Sequence, residues 1–175
     1  MRKIWAIIVS ALAFGSFLVT GPAGAEHPVA CTTATNGEVT ITIGGPVAAF
    51  APHCVEVSSG DRIKWTNLDA FGHNPGDDNT GGACWMATDV DGTLMSNRET
   101  FTISLTWNSG RGAFDVRAWD HMGNPVSWTD SNGNSITTKP CGTSLHEVQP
   151  DGKLFVPYIC YQHPGTMTAG ILVNI

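Results

Sequence analysis

A segment near the carboxyl end of the chain, Tyr158 to Met167, constrains its fold more than any other. It reads Tyr-Ile-Cys-Tyr-Gln-His-Pro-Gly-Thr-Met and carries a thiol at Cys160, an imidazole at His163 and a thioether at Met167. Strand-like runs flank it, so a short loop fixed at both ends would bring the three donor groups to one point. Soft donors of this kind suit copper better than magnesium, calcium or structural zinc.

A trigonal copper site needs a second nitrogen donor from elsewhere in the chain. His73 is the candidate, because it closely follows a strand-like run. Taken singly, a cysteine, histidine or methionine is more often a core or surface residue than a metal ligand. The prediction therefore rests on the combination: one copper ion held by His73, Cys160, His163 and Met167. Three methionines in loop segments rank lower as axial donors: Met86, Met95 and Met122.

The first 25 residues have the pattern of a secretory signal peptide. Arg2 and Lys3 form a basic start, a mostly apolar run follows, and Ala23-Gly-Ala25 offers the small residues that a signal peptidase needs. The alternative is a retained amino-terminal anchor, against which the cleavage signal argues. We expect an exported protein, periplasmic or otherwise extracytoplasmic, with residues 1–25 removed and residues 26–175 forming a single domain.

The charge of the chain limits its partners. The formal charge is −6, and it becomes −8 once Arg2 and Lys3 leave with the signal peptide. There is no basic patch, which argues against nucleic acid as a partner. An acidic surface would instead favour a basic docking patch on a partner protein, and that encounter would weaken as salt rises.

Five cysteines in an exported chain indicate two disulfides and one free thiol. Cys160 is the odd one, because its neighbours make it a metal ligand. The other four allow three pairings, which the residues alone leave open: Cys31, Cys54, Cys84 and Cys141.

Alternating apolar and polar residues predict short β-strands along most of the chain. Residues 62–66 are expected to form a hairpin with residues 50–57. Many short strands with turn signals between them predict an all-β sandwich. Two polar segments without a sustained period, 76–97 and 121–150, are expected to be long inserted loops. The predicted strands are 38–43, 50–57, 62–66, 99–105, 113–119, 154–159 and 169–175.

The loop around Cys160 resembles that of the cupredoxins of the plastocyanin/azurin family. Cys160-Tyr-Gln-His163 is similar to the short Cys-x2-His loop of plastocyanins and amicyanins. The spacing of three residues between His163 and Met167 is similar to that in azurin. This resemblance implies a Greek-key, cupredoxin-like sandwich with long inserted loops. It covers about half of the mature chain: 31–65, 73–74 and 152–175.

The amino-terminal half resembles azurin in two places. Gly72-His-Asn74 is one, and the separation of Cys31 and Cys54 is the other, because it matches a disulfide joining the first two strands there. The resemblance therefore implies a Cys31–Cys54 disulfide. We expect the second, Cys84–Cys141, to tie the two inserted segments together.

The resemblance also implies a ligand set. His73, Cys160 and His163 would be the equatorial ligands of one copper ion, through two imidazole nitrogens and a thiolate. Met167 would be the long axial ligand. The carbonyl of Gly72 would approach weakly from the opposite side.

Hydrogen bonds to the cysteine sulfur would tune such a site. In the family, the backbone N–H that follows the histidine bonds to the thiolate, and in this chain that N–H belongs to Asn74. Gln162 offers a second backbone N–H, at a position where plastocyanins have proline. We predict two N–H···S bonds, which would raise the reduction potential relative to a site with one. We also expect the Asn74 side chain to tie the His73 loop to the Cys160 loop. Four histidines are expected at the surface: His27, His53, His121 and His146.

The function implied by the resemblance is transfer of single electrons between redox proteins, in brief encounters, without catalysis. We expect the protein to contact membranes only when, as a soluble protein, it docks on membrane-bound redox complexes. The alternative is a copper carrier or sensor of the same fold, which would exchange its metal. A copper enzyme is less favoured, because a second copper centre needs further histidine clusters and no His-x-His sequence occurs.

Overall fold

The computed structural model describes residues 30–45, 48–78, 83–88 and 93–175. The predicted signal peptide and His27 lie outside these ranges. Within them, no helix is long and apolar enough to cross a membrane. The strands are β1 (Thr32–Thr33), β2 (Glu38–Ile43), β3 (Phe50–Ala51), β4 (Cys54–Ser58), β5 (Arg62–Asn67), β6 (Pro75–Asp77), β7 (Thr100–Asn108), β8 (Ala113–Trp119), β9 (Trp128–Thr129), β10 (Ser135–Ile136), β11 (Lys139–Pro140), β12 (Glu147–Val148), β13 (Leu154–Cys160) and β14 (Thr168–Asn174), and a 3₁₀ turn spans Thr143–Leu145.

These strands form two main sheets and a separate small hairpin of β9 and β10. In the first sheet, β4 lies parallel to β14, and β13 is antiparallel to β14. In the second, β2 lies parallel to β5, and β7 is antiparallel to both β5 and β8. The strand orders are β1-β4-β14-β13-β12, with β6 also paired to β13, and β11-β8-β7-β5-β2-β3.

The two sheets pack face to face on one apolar core. Trp65 of β5 and Tyr158 of β13 have ring centroids 5.4 Å apart, and Phe50 of β3 lies 4.8 Å from the same tyrosine ring. Apolar residues of β7 and β8 are buried in this core, among them Ile103 and Val116. The predicted all-β sandwich is confirmed. Its chain crosses between the sheets repeatedly and so places sequence-distant strands side by side, as in a Greek key.

The predicted hairpin between residues 50–57 and 62–66 is wrong. The turn itself forms, because the Ser58 N–H donates to the Asp61 carboxylate at 2.8 Å and the Asp61 N–H donates to the Ser58 carbonyl at 3.0 Å. However, β4 belongs to the first sheet and β5 to the second. The strands diverge because Val57 and Ile63 both face the shared core, from opposite sheets.

The predicted strand 50–57 is in fact two strands in different sheets. β3 pairs with β2, whereas β4 pairs with β14. Pro52 lies between them, and its ring nitrogen has no hydrogen to donate to a strand ladder. Apolar residues lie on both sides of this break, which is why the sequence indicated one strand.

The second inserted segment contains short strands. β9 and β10 make a hairpin, β11 extends the second sheet and β12 extends the first. The carboxylate of Asp130 shapes the hairpin turn by accepting the N–H groups of Asn132 and Asn134 at 2.9 and 2.8 Å. The polar, turn-rich residues of this segment therefore form short strands and tight turns rather than one long loop.

Both expected disulfides are present. Cys31 is joined to Cys54, with Cα atoms 4.6 Å apart, and Cys84 to Cys141, with Cα atoms 5.5 Å apart. The first ties the start of the described chain to β4, and the second ties the two inserted segments together. Among the described residues, Cys160 is the free cysteine, and it is buried.

Candidate metal centre

Three candidate ligand atoms meet at one end of the sandwich. Nδ1 of His73 lies 3.5 Å from Sγ of Cys160, and Nδ1 of His163 lies 3.8 Å from the same sulfur. The three ligand atoms all lie within 4.8 Å of one another. His73 and Cys160 are fully buried, whereas His163 is half-buried. Two ligands 87 residues apart in sequence are thus in contact.

The sheet topology explains this meeting. Cys160 is the last residue of β13, and its register partner on β6 is Pro75. His73 precedes β6 by two residues, so the pairing of β6 with β13 places the histidine beside the thiol. His163 follows from the loop that joins β13 to β14.

That loop is held by its own backbone. The N–H of His163 donates to the carbonyl of Cys160 at 2.9 Å, and the N–H of Cys160 donates to the carbonyl of Met167 at 3.0 Å. The Met167 N–H donates to the His163 carbonyl at 3.0 Å, and Met167 is 1% exposed. The loop therefore closes on itself and presents His163 and Met167 from one tight turn.

The imidazole of His73 is oriented by a residue that the sequence analysis missed. Its Nε2 lies 3.2 Å from Oδ2 of Asp69, so the other ring nitrogen, Nδ1, faces Cys160. The hydrogen bond with His73 is the main cause that lowers the pKa of Asp69. The four-residue spacing between Asp69 and His73 within one loop was the available sequence signal.

A buried amide organises this loop. Asn67 is fully buried at the end of β5, and its Nδ2 donates to the carbonyls of Phe71 and Met95, both at 2.8 Å. Its Oδ1 accepts the N–H of Asp69 at 2.8 Å. One side chain therefore sets the path of the chain from β5 to His73.

The first inserted segment packs against the same loop. His73 and Met95 exchange backbone hydrogen bonds at 3.2 and 2.9 Å. A β-carbon at Gly72 would lie 2.8 Å from Cβ of Leu94, closer than such atoms approach. Glycine is needed at position 72 because the inserted segment lies directly over it. Its predicted carbonyl contact with a metal stays a prediction.

Asn74 links the two ligand loops, as predicted. Its Oδ1 accepts the N–H of Gln162 at 3.0 Å, and its carbonyl accepts the N–H of Tyr161 at 3.2 Å. The Gln162 N–H was expected to bond to the sulfur of Cys160, but it donates to this amide oxygen instead. The reason is that Asn74 is 5% exposed and lies between the loops, where its amide reaches that N–H first. The N–H···S bond from Asn74 stays a prediction.

Two of the methionines ranked as weaker candidates lie close to the site. Met95 is 4% exposed and pairs with His73 through the backbone, and Sδ of Met86 lies 3.5 Å from Nδ2 of Asn74. Met122 is 71% exposed. The sequence could not show that the inserted segment folds back over the ligand loops.

Two of the other histidines are at the surface as expected, and one is not. His53 and His121 are exposed. His146 is half-buried, with its ring edge-on to those of Trp107 and Phe114 at 5.0 and 5.5 Å. Burial lowers the pKa of His146. The prediction was wrong for His146 because an aromatic pair far along the sequence from it completes its environment.

The geometry fits a transition metal with soft preferences. A metal bound at about 2.0–2.3 Å from nitrogen and sulfur, with angles near 120°, needs sulfur-to-nitrogen separations of about 3.8 Å. The separations of 3.5 and 3.8 Å agree with this requirement. One thiolate with two imidazoles is a trigonal donor set typical of blue copper. His73, Cys160 and His163 would hold such an ion, with Met167 as the buried axial candidate.

No protein family matches the sequence, and no curated protein matches it either. Some solved structures are similar in fold. A reduced mutant of amicyanin has a TM-score of 0.44 and 13% identity, with 81% of this chain and 86% of that chain covered. The Cu(I) form of another amicyanin mutant has the same score and coverage at 14% identity. A copper-containing nitrite reductase from Thermus scotoductus SA-01 has a TM-score of 0.42 and 16% identity, covering 79% of this chain and 22% of its own. Scores and identities this low carry no conclusion about the function of this chain.

Proposed function

We propose that this chain is an exported blue-copper protein of the plastocyanin/azurin kind, which carries single electrons between redox partners. One observation carries the proposal: the Cys160 sulfur and one ring nitrogen from each of two histidines, His73 and His163, lie within 4.8 Å of one another, with two of the three side chains fully buried. A bound copper ion would supply a one-electron Cu(I)/Cu(II) couple.

The residues around the site hold the ligands in place, as electron transfer requires. Asn74 links the two ligand loops, and Asn67 fixes the path of the loop that carries His73. Ligands that cannot rearrange keep one geometry in both oxidation states, which lowers the cost of moving an electron. Burial of Cys160 also keeps water and external thiols from the sulfur.

Exposed apolar residues lie on both ligand loops, and His163 itself is half-buried. Phe71 is 72% exposed and Leu68 is 57% exposed on the loop that carries His73, and Pro164 and Gly165 are exposed beside His163. Small apolar surfaces of this kind suit brief docking. The imidazole of His163 is accordingly the proposed route for the electron, and the acidic charge of the chain favours partners with a basic patch.

Export remains part of the proposal. Two disulfides are typical of oxidising compartments, and they support a periplasmic or extracytoplasmic location. The signal peptide over residues 1–25 and the single domain over residues 26–175 stay predictions. So does the absence of enzymatic activity.

A copper carrier that exchanges its metal is the second candidate. It is favoured by Met86, whose Sδ lies 3.5 Å from Nδ2 of Asn74, and by Met95, whose backbone pairs with that of His73, because thioethers accept Cu(I). It is disfavoured by the full burial of His73 and Cys160, which hinders attack by an acceptor's ligands. Electron transfer therefore remains the better-supported function.

Spectroscopy of the mature chain tests the proposal. Addition of one equivalent of Cu(II) should produce an intense visible thiolate charge-transfer band, which a mild reductant bleaches and an oxidant restores. Cys160→Ser should abolish the band, whereas His53→Ala, at an exposed histidine outside the site, should retain it.

Two results would contradict the proposal. Absence of the band in the unmodified protein would exclude a copper–thiolate site. A band that forms but disappears within minutes when a copper chelator is added would indicate metal exchange and so favour the copper carrier.

A further inference from the structure

The buried imidazole of His73 is held at both ring nitrogens. Nδ1 lies 3.5 Å from Sγ of Cys160, and Nε2 lies 3.2 Å from Oδ2 of Asp69. His73 is fully buried, and the side chain of Asp69 is 17% exposed. A carboxylate is therefore in hydrogen-bond contact with the far side of a proposed metal ligand.

We propose that Asp69 is a positioning residue that makes His73 a stronger donor to Cu(II) and so lowers the reduction potential of the site. This inference rests on the copper function proposed above and deepens it. The carboxylate accepts a hydrogen bond from Nε2–H and leaves the lone pair of Nδ1 directed at the metal position. A histidine bonded in this way to a carboxylate is a more basic metal ligand than one without such a partner.

The carboxylate is itself held in place. Its Oδ1 accepts the N–H of Ala70 at 2.6 Å, which leaves Oδ2 for His73. The Asp69 N–H donates to Oδ1 of Asn67 at 2.8 Å, and the Asp69 carbonyl accepts Nδ2 of Asn97 at 2.8 Å. These bonds anchor the backbone of Asp69 on both sides of its side chain, so the contact with His73 belongs to a built arrangement.

The charge of Asp69 acts on the two oxidation states unequally. A negative charge near the ligand stabilises the more positive ion more strongly, and partial burial of Asp69 limits screening by solvent. Removing the charge should therefore weaken Cu(II) binding more than Cu(I) binding. A greater loss of Cu(II) affinity than of Cu(I) affinity raises the reduction potential of the site.

Asp69→Asn removes the negative charge but keeps the orientation of His73, because the amide oxygen can still accept the hydrogen bond from Nε2–H. We expect Cu(II) affinity to fall about tenfold, at the lower end of what such outer partners contribute, with less change for Cu(I). For a one-electron couple, each tenfold difference between the two affinities raises the potential by about 59 mV. Asp69→Ala, which removes both charge and acceptor, should lower Cu(II) affinity by up to about 100-fold.

Glu147→Gln is the matched control. Glu147 is exposed on β12, whose partner strand β13 reaches Cys160 only at its far end, and the change removes one negative charge as well. Its potential and affinity should equal those of the unmodified protein. An equal potential in Asp69→Asn and in Glu147→Gln would overturn the inference.

A measurement without metal separates this inference from the proposed function. In the metal-free protein, ¹⁵N NMR should show His73 as the Nε2–H tautomer in the unmodified chain and in Asp69→Asn, and a mixture of tautomers in Asp69→Ala. An Nδ1–H tautomer in the unmodified chain would overturn the role of Asp69 even if copper binds. The expected tautomers in a protein that forms no copper–thiolate band would refute the copper function while leaving the Asp69–His73 bond established.

Discussion

The Oδ1 atom of Asn74 accepts a hydrogen bond from the backbone N–H of Gln162 at 3.0 Å, between residues 88 positions apart. The Asn74 carbonyl accepts a second bond, from the N–H of Tyr161, at 3.2 Å. These two bonds join the loop that carries His73 to the loop that begins at Cys160. Hydrogen bonds within the protein therefore help to set the separation of the proposed ligands.

Gln162→Pro tests this link. Proline has no N–H, so the buried Oδ1 of Asn74 loses its donor, and we expect the free energy of unfolding of the metal-free protein to fall by about 1–3 kcal/mol. Gln162→Ala keeps the N–H and should change stability by less than about 0.5 kcal/mol. Urea unfolding of the two variants compares them, and equal stabilities would show that the bond contributes nothing.

Gly72→Ala tests the contact between the first inserted segment and the His73 loop. The added β-carbon would lie 2.8 Å from Cβ of Leu94, and we expect this overpacking to cost about 1–3 kcal/mol in thermal or urea unfolding. Leu94→Ala in the same chain should restore part of the loss. Gly165→Ala, which meets nothing within 4 Å, is the control and should be close to neutral.

The disulfide between Cys84 and Cys141 should stabilise the fold more than the one between Cys31 and Cys54. The bridged residues are 57 positions apart in the first case and 23 in the second, which predicts losses of about 4 and 3 kcal/mol when each pair is replaced by alanine. Urea unfolding of metal-free protein measures both. Only loss of the first pair should also speed copper release to a chelator, because it anchors the segment that pairs with His73.

Asp77 should make the fold less stable as pH rises. It is fully buried, its Oδ1 accepts the Trp85 N–H at 2.8 Å, and burial raises its pKa above the ordinary value of 3.8. Ionisation is therefore harder in the folded than in the unfolded chain, so the stabilisation present at low pH is lost as pH rises through the folded-state pKa.

Asp77→Asn removes that ionisation while keeping an acceptor for the Trp85 N–H. The variant should be more stable than the unmodified protein at pH 7, and the advantage should shrink toward pH 4. Urea unfolding at several pH values measures this difference, in which effects of the other carboxylates cancel. Asp78→Asn, at the exposed neighbouring position, should show no such trend. A constant difference across this range would refute the assignment to Asp77.

Met167→Leu tests the proposed axial ligand against Met95, a second buried methionine. Met167 and Met95 are both buried, at 1% and 4% exposure, and leucine conserves volume well enough to cost less than about 1.5 kcal/mol at either site. If Met167 is the axial donor, we expect its replacement to weaken Cu(II) binding more than Cu(I) binding, and each tenfold difference between the two affinities raises the potential by about 59 mV. Met95→Leu should leave the potential unchanged. The reverse result would assign the axial position to Met95.

The local alternation of apolar and polar residues was sufficient to predict most strands. β2 and β8 have the predicted bounds, and β5, β7, β13 and β14 agree with the predictions within a few residues at their ends. Each of these strands has one side facing the core, and that environment imposes the period of two that the sequence shows. The Cys31–Cys54 disulfide was also predicted, from likeness to a family, and the Cys84–Cys141 disulfide was predicted as a tie between the two inserted segments.

The pairing between strands could not be predicted from the residue pattern in the same way. The turn at residues 58–61 has the residues of a hairpin, yet its two strands enter opposite sheets. A residue pattern reports which side of a strand is buried, but it does not report which strand lies beside it. The same gap left the position of the first inserted segment over the His73 loop unpredicted.

The sequence by itself determined that a thiol, two imidazoles and a thioether were available in an all-β chain, because donor chemistry and strand period are local properties. Only the tertiary structure decided that Nδ1 of His73 faces the sulfur of Cys160, that Asp69 holds the opposite ring nitrogen, and that the Gln162 N–H serves Asn74 rather than the sulfur. The reason is that a ring orientation or a choice of acceptor is settled by competition among neighbours, and the pairing of β6 with β13 brings the His73 loop beside Cys160 and Gln162.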